Sequence, residues 1–311
     1  MNEKINQAKE ALGKVIIGND KVIDLLFVAL LAEGHVLLES VPGTGKTKLA
    51  RSFAKVLDAN YNRVQFTPDV LPSDVTGIRY FNPKTEEFEL RVGPIMTNVL
   101  LADEINRATP KTQSSLLEAM EEYQATIDGE TLQIERPFIV LATQNPVESN
   151  YGTFPLPEAQ LDRFLFKISM NYPTLDEGKE ILSSYRLEDP YDDLVPLLST
   201  EDILALQEKI KSVTISEDVT NYLLEIIEQS RSHEYVELGI SPRGMLALMR
   251  SSQAKAFLSG RKYVTPEDIK ELVPYLFSHR IILTMEGEMT KSRETIVEEI
   301  LSQVPVPVEN T

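Results

Sequence analysis

The sequence predicts an α/β domain built on a parallel sheet, followed by an all-helical domain, and three observations predict it. Short apolar runs alternate with helical patterns as far as residue 172. Those runs are continuous rather than alternating in polarity, as strands covered on both faces require. Beyond Asn171-Tyr172-Pro173 only helical periodicity remains. The boundaries are therefore 1–172 for the α/β domain and 173–311 for the helical one. With 311 residues, 42% hydrophobic and 25% charged, the chain has material for both cores.

The elements follow in order. A first helix covers 2–12. A second covers 20–33, with Val22, Ile23, Leu26, Phe27, Leu30 and Leu31 at helical spacing. A strand at 35–39 leads into a glycine-rich turn, and the helical period resumes over 47–58 with Leu49, Ala50, Phe53, Ala54 and Leu57 on one face. Buried strands are expected at 63–66, 99–102, 138–143 and 164–170. Two insertions interrupt this alternation. The one at 68–94 contains a strand-like pair, 78–82 and 87–92, around Pro83-Lys84-Thr85. The other is a hairpin within 125–134 that turns at Asp128-Gly129, a strong short hairpin signal. A polar linker with Pro173, Pro190 and Pro196 surrounds a helix at 176–185. Helices are then expected at 201–212, 217–232, 242–258, 266–280 and 290–303. Ser216, Ser241-Pro242 and Thr265-Pro266 supply N-caps.

Composition excludes several chemistries. With no cysteine there is no disulfide, thiolate metal site or cysteine nucleophile, which fits a reducing compartment. The three histidines, His35, His233 and His279, lack metal-ligand spacing and read as structural or surface residues. A net charge of −17 disfavours a general nucleic-acid surface, which needs a basic face. The amino terminus lacks a signal-peptide core, and the longest apolar run, at 25–32, is far short of a bilayer span. A cytoplasmic protein with no membrane span is expected.

The turn Ser40-Val41-Pro42-Gly43-Thr44-Gly45-Lys46-Thr47 follows a strand and opens a helix. In that context its N–H groups and the helix dipole suit a nucleotide's phosphates. Lys46 adds positive charge, and the Thr47 hydroxyl is a ligand for Mg²⁺. Glycine is usual where Ser40 stands, but Gly43 and Gly45 keep the tight part of the turn. The run Val99-Leu100-Leu101-Ala102-Asp103-Glu104 ends in two carboxylates, Asp103 placed to hold Mg²⁺ and Glu104 to orient and deprotonate water. Asn145, at the end of the next strand, could contact a γ-phosphate or simply make a turn before Pro146. Arg163 lies just before the last strand and Arg243 in the first turn of a helix. A cation there opposes the helix dipole, so a nearby anion such as a nucleotide phosphate is expected for Arg243, although structural salt bridges would also explain either arginine. The acidic pairs Glu121-Glu122 and Asp192-Asp193 are expected to face solvent.

Taken together these segments resemble the AAA+ superfamily and, within it, the MoxR family of ATPases. The resemblance spans essentially the whole chain and rests on VPGTGKT at 41–47, QFTPDVLPSDVTG at 65–77, LLADEINRA at 100–108, QNP at 144–146, PEAQLDRF at 157–164 and SPRG at 241–244. It implies a five-stranded parallel core and a helical lid, with ATP and Mg²⁺ bound between them and between subunits. Val41, Pro42, Gly43, Thr44, Gly45, Lys46, Thr47 and Lys48 become nucleotide-binding residues, Thr47 and Asp103 the metal ligands, and Ile16, Ile17 and Gly18 the border of the adenine. Glu104, Asn145 and Arg163 become catalytic: Walker B glutamate, sensor 1 and arginine finger. Arg243 matches sensor 2, acting in cis or in trans, and Arg107 is a second candidate for an inter-subunit contact. The insertions match elements that approach the pore of a ring. The expected protein is a homo-oligomer, a hexamer, that remodels a protein client with a separate von Willebrand factor A domain partner. Two alternatives stand beside it: a nucleic-acid motor, against which the acidic 68–94 insertion weighs, and a non-catalytic nucleotide switch.

Overall fold

The computed structural model of the protein describes residues 2–145 and 152–307. Pro146 of the Gln144-Asn145-Pro146 segment lies outside them. Five parallel strands form the central sheet: β1 (Val36–Ser40), β2 (Tyr61–Gln65), β5 (Val99–Asp103), β8 (Ile139–Gln144) and β9 (Phe166–Met170), in the order β2-β5-β8-β1-β9. The antiparallel ribbon β3 (Gly77–Asn82) and β4 (Glu87–Val92) is the first insertion, and β6 (Gln124–Ile127) and β7 (Glu130–Gln133) the second.

Alternate residues along each inner strand feed two separate cores. Val36 and Leu38, Val99 and Leu101, and Ile139 and Leu141 join a core with α1 (Asn2–Val15), α2 (Asp20–Leu31) and α3 (Lys46–Val56). Leu37, Leu100, Ala102, Val140 and Ala142 point the other way, into a core with α5 (Pro110–Glu122) and the short α4 (Pro72–Thr76). Both faces are covered, which is why these strands read as unbroken apolar runs. The edge strand β2 departs from that reading. Its Tyr61-Asn62-Arg63-Val64-Gln65 buries Val64 fully and leaves the rest half or fully exposed, because its outer side has no neighbour.

After the one-turn α6 (Glu158–Leu161) and β9 come α7 (Leu175–Ser184), α8 (Thr200–Ile210), α9 (Glu217–Ser232), α10 (Pro242–Leu258), α11 (Pro266–Phe277), α12 (Met285–Thr290) and α13 (Arg293–Gln303). Ser199, Ser216, Ser241 and Ser292 each accept a backbone N–H at the start of their helices. The strands do not stop at 172, however. A small antiparallel ribbon, β10 (Val236–Leu238) and β11 (Ile282–Leu283), lies among these helices. At three and two residues its strands are too short to carry a readable period. The helix expected over 266–280 ends at Phe277, and the one expected to begin at 290 begins at Arg293, after the separate α12.

The helical region is tied to the sheet by buried polar contacts. Gln207 donates to the Leu30 carbonyl at 2.7 Å. Arg280, 3% exposed at its side chain, donates through Nε to Asp162 Oδ1 at 2.7 Å and to the carbonyls of Asp162, Phe164, Leu165 and Leu276. Burial pulls even this guanidinium down to about 10, against the opposing pull of Asp162. Ser241, the cap of α10, donates its hydroxyl to Asp162 Oδ2 at 3.0 Å. One carboxylate therefore joins α10, the segment after α11 and the stretch before β9.

All three histidines are buried. His35 donates from Nε2 to the Met120 carbonyl and accepts at Nδ1 from the Val140 N–H, both at 3.0 Å, which leaves no nitrogen for a second proton. Burial pulls its pKa down to about 4, only partly opposed by the Met120 bond.

Two outcomes are expected. Asp162→Ala strands the Arg280 charge and should lower unfolding free energy by ~3–5 kcal/mol, read from urea denaturation; a loss below ~1 kcal/mol would contradict the linchpin role. For His35, the unfolded chain takes up a proton below about 6.5 while the folded chain resists until about 4. Its contribution is therefore present above 6.5 and is lost as pH falls, by roughly 3 kcal/mol across that window. His35→Gln should be less stable at pH 7 yet lose stability with acid less steeply, by about one proton.

Candidate nucleotide site

The parallel register places four segments along one edge of the sheet. Glu39 pairs with Gln144, Leu38 with Thr143, and Gln65 with Asp103, so the carboxyl ends of β1, β8, β2 and β5 lie together. β1 lies where the strand order reverses, between β8 and β9, the position at which parallel α/β sheets open a crevice for ligands.

The phosphate turn leaves β1 there. Ser40 is the last residue of that strand and pairs with Met170, so it is extended and needs no glycine. Gly43 and Gly45 do need their freedom, with φ of 86° and 87°. Gly45 caps α3, whose first turn carries Lys46, Thr47 and Lys48 and no acid. Two lysines in the first turn of a helix oppose the dipole unless an anion joins them. Thr44 closes the turn through Oγ1 to the Val41 carbonyl at 3.2 Å, with Pro42 exposed at the rim.

Asp103 ends β5 and is 6% exposed. Its Oδ1 accepts from the Thr143 hydroxyl and its Oδ2 from the Arg63 guanidinium, both at 2.6 Å. Glu104 follows in the left-handed region, φ 58° and ψ 49°, a conformation unusual outside glycine that swings it off the strand axis. Its N–H donates to Thr143 Oγ1 at 2.9 Å, and its Oε2 accepts from Gln65 at 2.9 Å and from Arg107 at 3.2 Å. Asn145 follows β8 and is 5% exposed. Sequence reasoning gave no role to Thr143, Arg63 or Gln65. Thr143 had a signal in its place two residues before Asn145, and Gln65 in opening the segment at 65–77; Arg63 had none, being a polar residue on an edge strand.

Beside the turn is a cavity of about 240 Å³, bordered by Ile16, Ile17, Gly43, Gly45, Lys48 and Tyr185. Ile16 and Ile17 are buried just beyond α1. Gly18 has φ 77°, and a Cβ there would lie 2.5 Å from the Glu177 carboxyl carbon. Tyr185 donates to the Val15 carbonyl at 2.7 Å, and Lys48 lies 4.1 Å over its ring while pairing with Asp189 at 2.7 Å. Apolar walls with backbone groups beside a phosphate turn suit a flat heterocycle.

The two arginines are elsewhere. Arg163 precedes β9 and therefore lies at the amino edge of the sheet, beside the residues that lead into β1. Arg243, in the first turn of α10, lines the same cleft of about 240 Å³ as Arg163, Glu121 and Arg250. A five-residue strand separates the edges by about 16 Å. The structure thus brings together the turn, Asp103, Glu104 and Asn145, and sets Arg163 and Arg243 apart from them as a pair. The anion beside Arg243 in this chain is the carboxylate of Glu121, so the salt-bridge alternative is the one seen; Glu121 is exposed as expected yet bonded to both arginines. Among the described residues no group of three His, Cys, Asp or Glu side chains could by itself hold a metal. The donors that fit Mg²⁺ are one carboxylate and one hydroxyl, Asp103 and Thr47, a set that leaves the remaining ligands to phosphate and water.

Residues 35–166 match the profile of the ATPase family associated with various cellular activities (AAA), and residues 228–300 that of the AAA lid domain. The uncharacterised YeaC protein of Bacillus subtilis (strain 168) is 50% identical, over 99% of this chain and 96% of its own. Chaperone MoxR1 of Mycobacterium tuberculosis is 40% identical over 96% of this chain and 81% of its own; Protein MoxR of Paracoccus denitrificans is 30% identical over 98% and 96%. The crystal structure of a proposed ATPase from Cytophaga hutchinsonii superimposes with a TM-score of 0.91 at 39% identity, covering 99% of this chain and 96% of that one.

Thr143 offers a test of the site that leaves every motif residue in place. Thr143→Val removes the hydroxyl shared by Asp103 and Glu104. It should slow nucleotide turnover by about tenfold or more, equivalent to ~1.4 kcal/mol, with ATP affinity within a few-fold of the parent. Unchanged turnover in a folded variant would show that the shared hydroxyl is dispensable.

Proposed function

The chain belongs to the MoxR family of AAA+ ATPases, and from that premise we propose that it hydrolyses Mg-ATP as a ring of identical subunits, a hexamer, and uses the turnover to remodel or activate a protein client. The observation that carries the reading is the separation of the arginines from the phosphate turn. Asp103 and Glu104 end β5 at the carboxyl edge, whereas Arg163 precedes β9 at the amino edge. One subunit therefore holds two complementary half-sites, and a second subunit is needed to join them.

In this reading Lys46 and the N–H groups of the turn bind the β- and γ-phosphates, and Ile16, Ile17 and Gly18 border the base. Thr47 and Asp103 hold Mg²⁺, which supplies charge neutralisation on the phosphates when bound. Asp103 must exchange Arg63 for that role, and Glu104 must leave Gln65 and Arg107 to orient the attacking water and take its proton. Asn145 contacts the γ-phosphate or the water. Arg163 of the adjoining subunit, with Arg243 beside it, stabilises charge developing on the transferred phosphoryl group. Such an arginine is worth ~10³-fold or more in rate.

The client-facing surface in this reading is the insertion ribbon. Phe81 and Phe88 are 51% and 70% exposed and stack edge to face at 5.5 Å, an apolar tip otherwise costly to leave in water. Arg79 braces this ribbon against Glu130 of the second hairpin. The acids Glu86, Glu87 and Glu89 beside it disfavour nucleic acid as the client. Domain limits of 1–172 and 173–311, a cytoplasmic location and a separate von Willebrand factor A domain partner complete the proposal. Among the described residues no helix is long and apolar enough to cross a membrane.

Three measurements bear on it. ATPase rate per subunit should rise with protein concentration and saturate; a rate that holds constant down to a verified monomer would end the shared-site reading. Glu104→Gln should bind ATP and lose turnover by at least ~10²-fold. Lys46→Ala and Arg163→Ala should each be inactive alone yet recover activity when mixed, because each supplies the half the other lacks. No recovery from variants that demonstrably co-assemble would contradict the proposal.

A further inference from the structure

The cleft at the amino edge of the sheet holds an arrangement that the hydrolysis scheme does not use. Glu121 is the penultimate residue of α5 and presents its two oxygens to two different arginines. Oε2 pairs with Arg163 Nε at 3.2 Å, and Oε1 pairs with Arg243. Two guanidiniums converging on the oxygens of one anion is the arrangement that also binds a terminal phosphate.

The arginines are not free to separate. Asp162, adjacent to Arg163, is bonded to Ser241, which caps the helix carrying Arg243 and accepts from Gly244 N–H at 3.1 Å. Asp162 is also locked to the buried Arg280. The backbones at 163 and 243 are thus joined through Asp162, which keeps the two arginines side by side. Glu121 is not part of that linkage. Its side chain is 34% exposed and reaches the pair from a different element, so it can swing toward solvent without disturbing Asp162, Ser241 or Arg280.

We infer that Glu121 occupies, in the single subunit, the seat that the terminal phosphate of a second copy's nucleotide takes in the assembly. The inference rests on the proposed in-trans role of Arg163. A carboxylate carries one negative charge and a nucleoside triphosphate's terminal phosphoryl group more, so the phosphate displaces Glu121 where an empty neighbour does not. Once displaced, the Glu121 carboxylate would repel the phosphate if it stayed, and solvent is the side open to it. The contact offsets part of the charge of the two arginines in the free chain and sets a threshold against assembly around an empty site.

The test is the protein concentration giving half-maximal ATPase rate at saturating Mg-ATP. Glu121→Gln keeps the shape and removes the charge that competes with phosphate. Half-maximal rate should move to a roughly 3- to 10-fold lower protein concentration, the range for two half-exposed ion pairs, and the difference should shrink as salt is raised. Glu121→Ala should move it in the same direction. Structural damage would not produce such a gain. A midpoint unchanged or shifted upward in both variants, with melting temperatures equal to the parent, overturns the inference. Arg163→Ala separates the two readings. If it is fully active, the in-trans role itself fails; if it is inactive while the Glu121 variants show no downward shift, only the Glu121 inference fails.

Discussion

Everything in this molecule follows from a parallel sheet buried on both faces. Once Leu37, Leu100 and Val140 face one core and Leu38, Leu101 and Leu141 the other, no polar side chain can project from the middle of a strand without paying for desolvation. Polar chemistry is confined to the two edges where strands begin and end. The carboxyl edge receives the phosphate turn, Asp103, Glu104 and Asn145, and the amino edge receives Arg163 with Arg243 beside it. The length of the strands keeps these sets apart. The proposed sharing of sites between subunits would then be a consequence of layering, since the sheet cannot fold its own amino edge onto its carboxyl edge.

The charged groups at both edges already have partners in the chain. Asp103 has Arg63 and Thr143, Glu104 has Gln65 and Arg107, Lys48 has Asp189, and Arg163 and Arg243 share Glu121. Half-buried ions left unpaired would lower stability, so a site proposed to hold a triphosphate and a divalent cation would need such internal partners. The cations near Asp103 and the anion near the arginines have the signs of the groups they would yield to. Exposed or half-exposed pairs of this kind contribute little each, which makes them easy to exchange. The Asp162–Arg280 pair is different. With Arg280 almost wholly enclosed and bonded to four carbonyls, it is a fixed strut, and it sets the positions from which the exchangeable pairs operate.

How much of this was legible in the sequence depended on whether the signal was local. The fold was, because burial on both faces leaves continuous runs at 99–102 and 138–143 and because Ser216 and Ser241 cap their helices through neighbours three residues away. Where burial was one-sided or elements were tiny, the reading failed: β2 is a half-exposed edge, and β10 and β11 are too short to show a period. In the candidate site the turn and the acidic pair are contiguous and so could be read. Their partners could not. Arg63, Gln65 and Thr143 reach Asp103 and Glu104 from about forty positions away, and Glu121 meets Arg243 across 122 positions. A cation opposing its helix dipole did announce that Arg243 needed an anion, but nothing local could say that the anion was in the same chain.

One hydroxyl links the two acids more tightly than their adjacency does. Thr143 donates to the Asp103 carboxylate and accepts from the Glu104 backbone, so it fixes both the side chain placed for the metal and the left-handed turn that aims Glu104. Asn145 lies two residues further along the same chain, just past the end of β8. Through Thr143 the end of that strand is bonded to the Asp103 carboxylate and to the Glu104 backbone at once. Because Glu104 is held by Gln65 and Arg107 through hydrogen bonds at the surface and by Thr143 through its buried backbone, the side chain is free to change partners while its pivot stays in place. In the proposed hydrolysis, where Glu104 would be withdrawn until the nucleotide is seated and then placed accurately, that division between a fixed backbone and an exchangeable carboxylate is what the role requires.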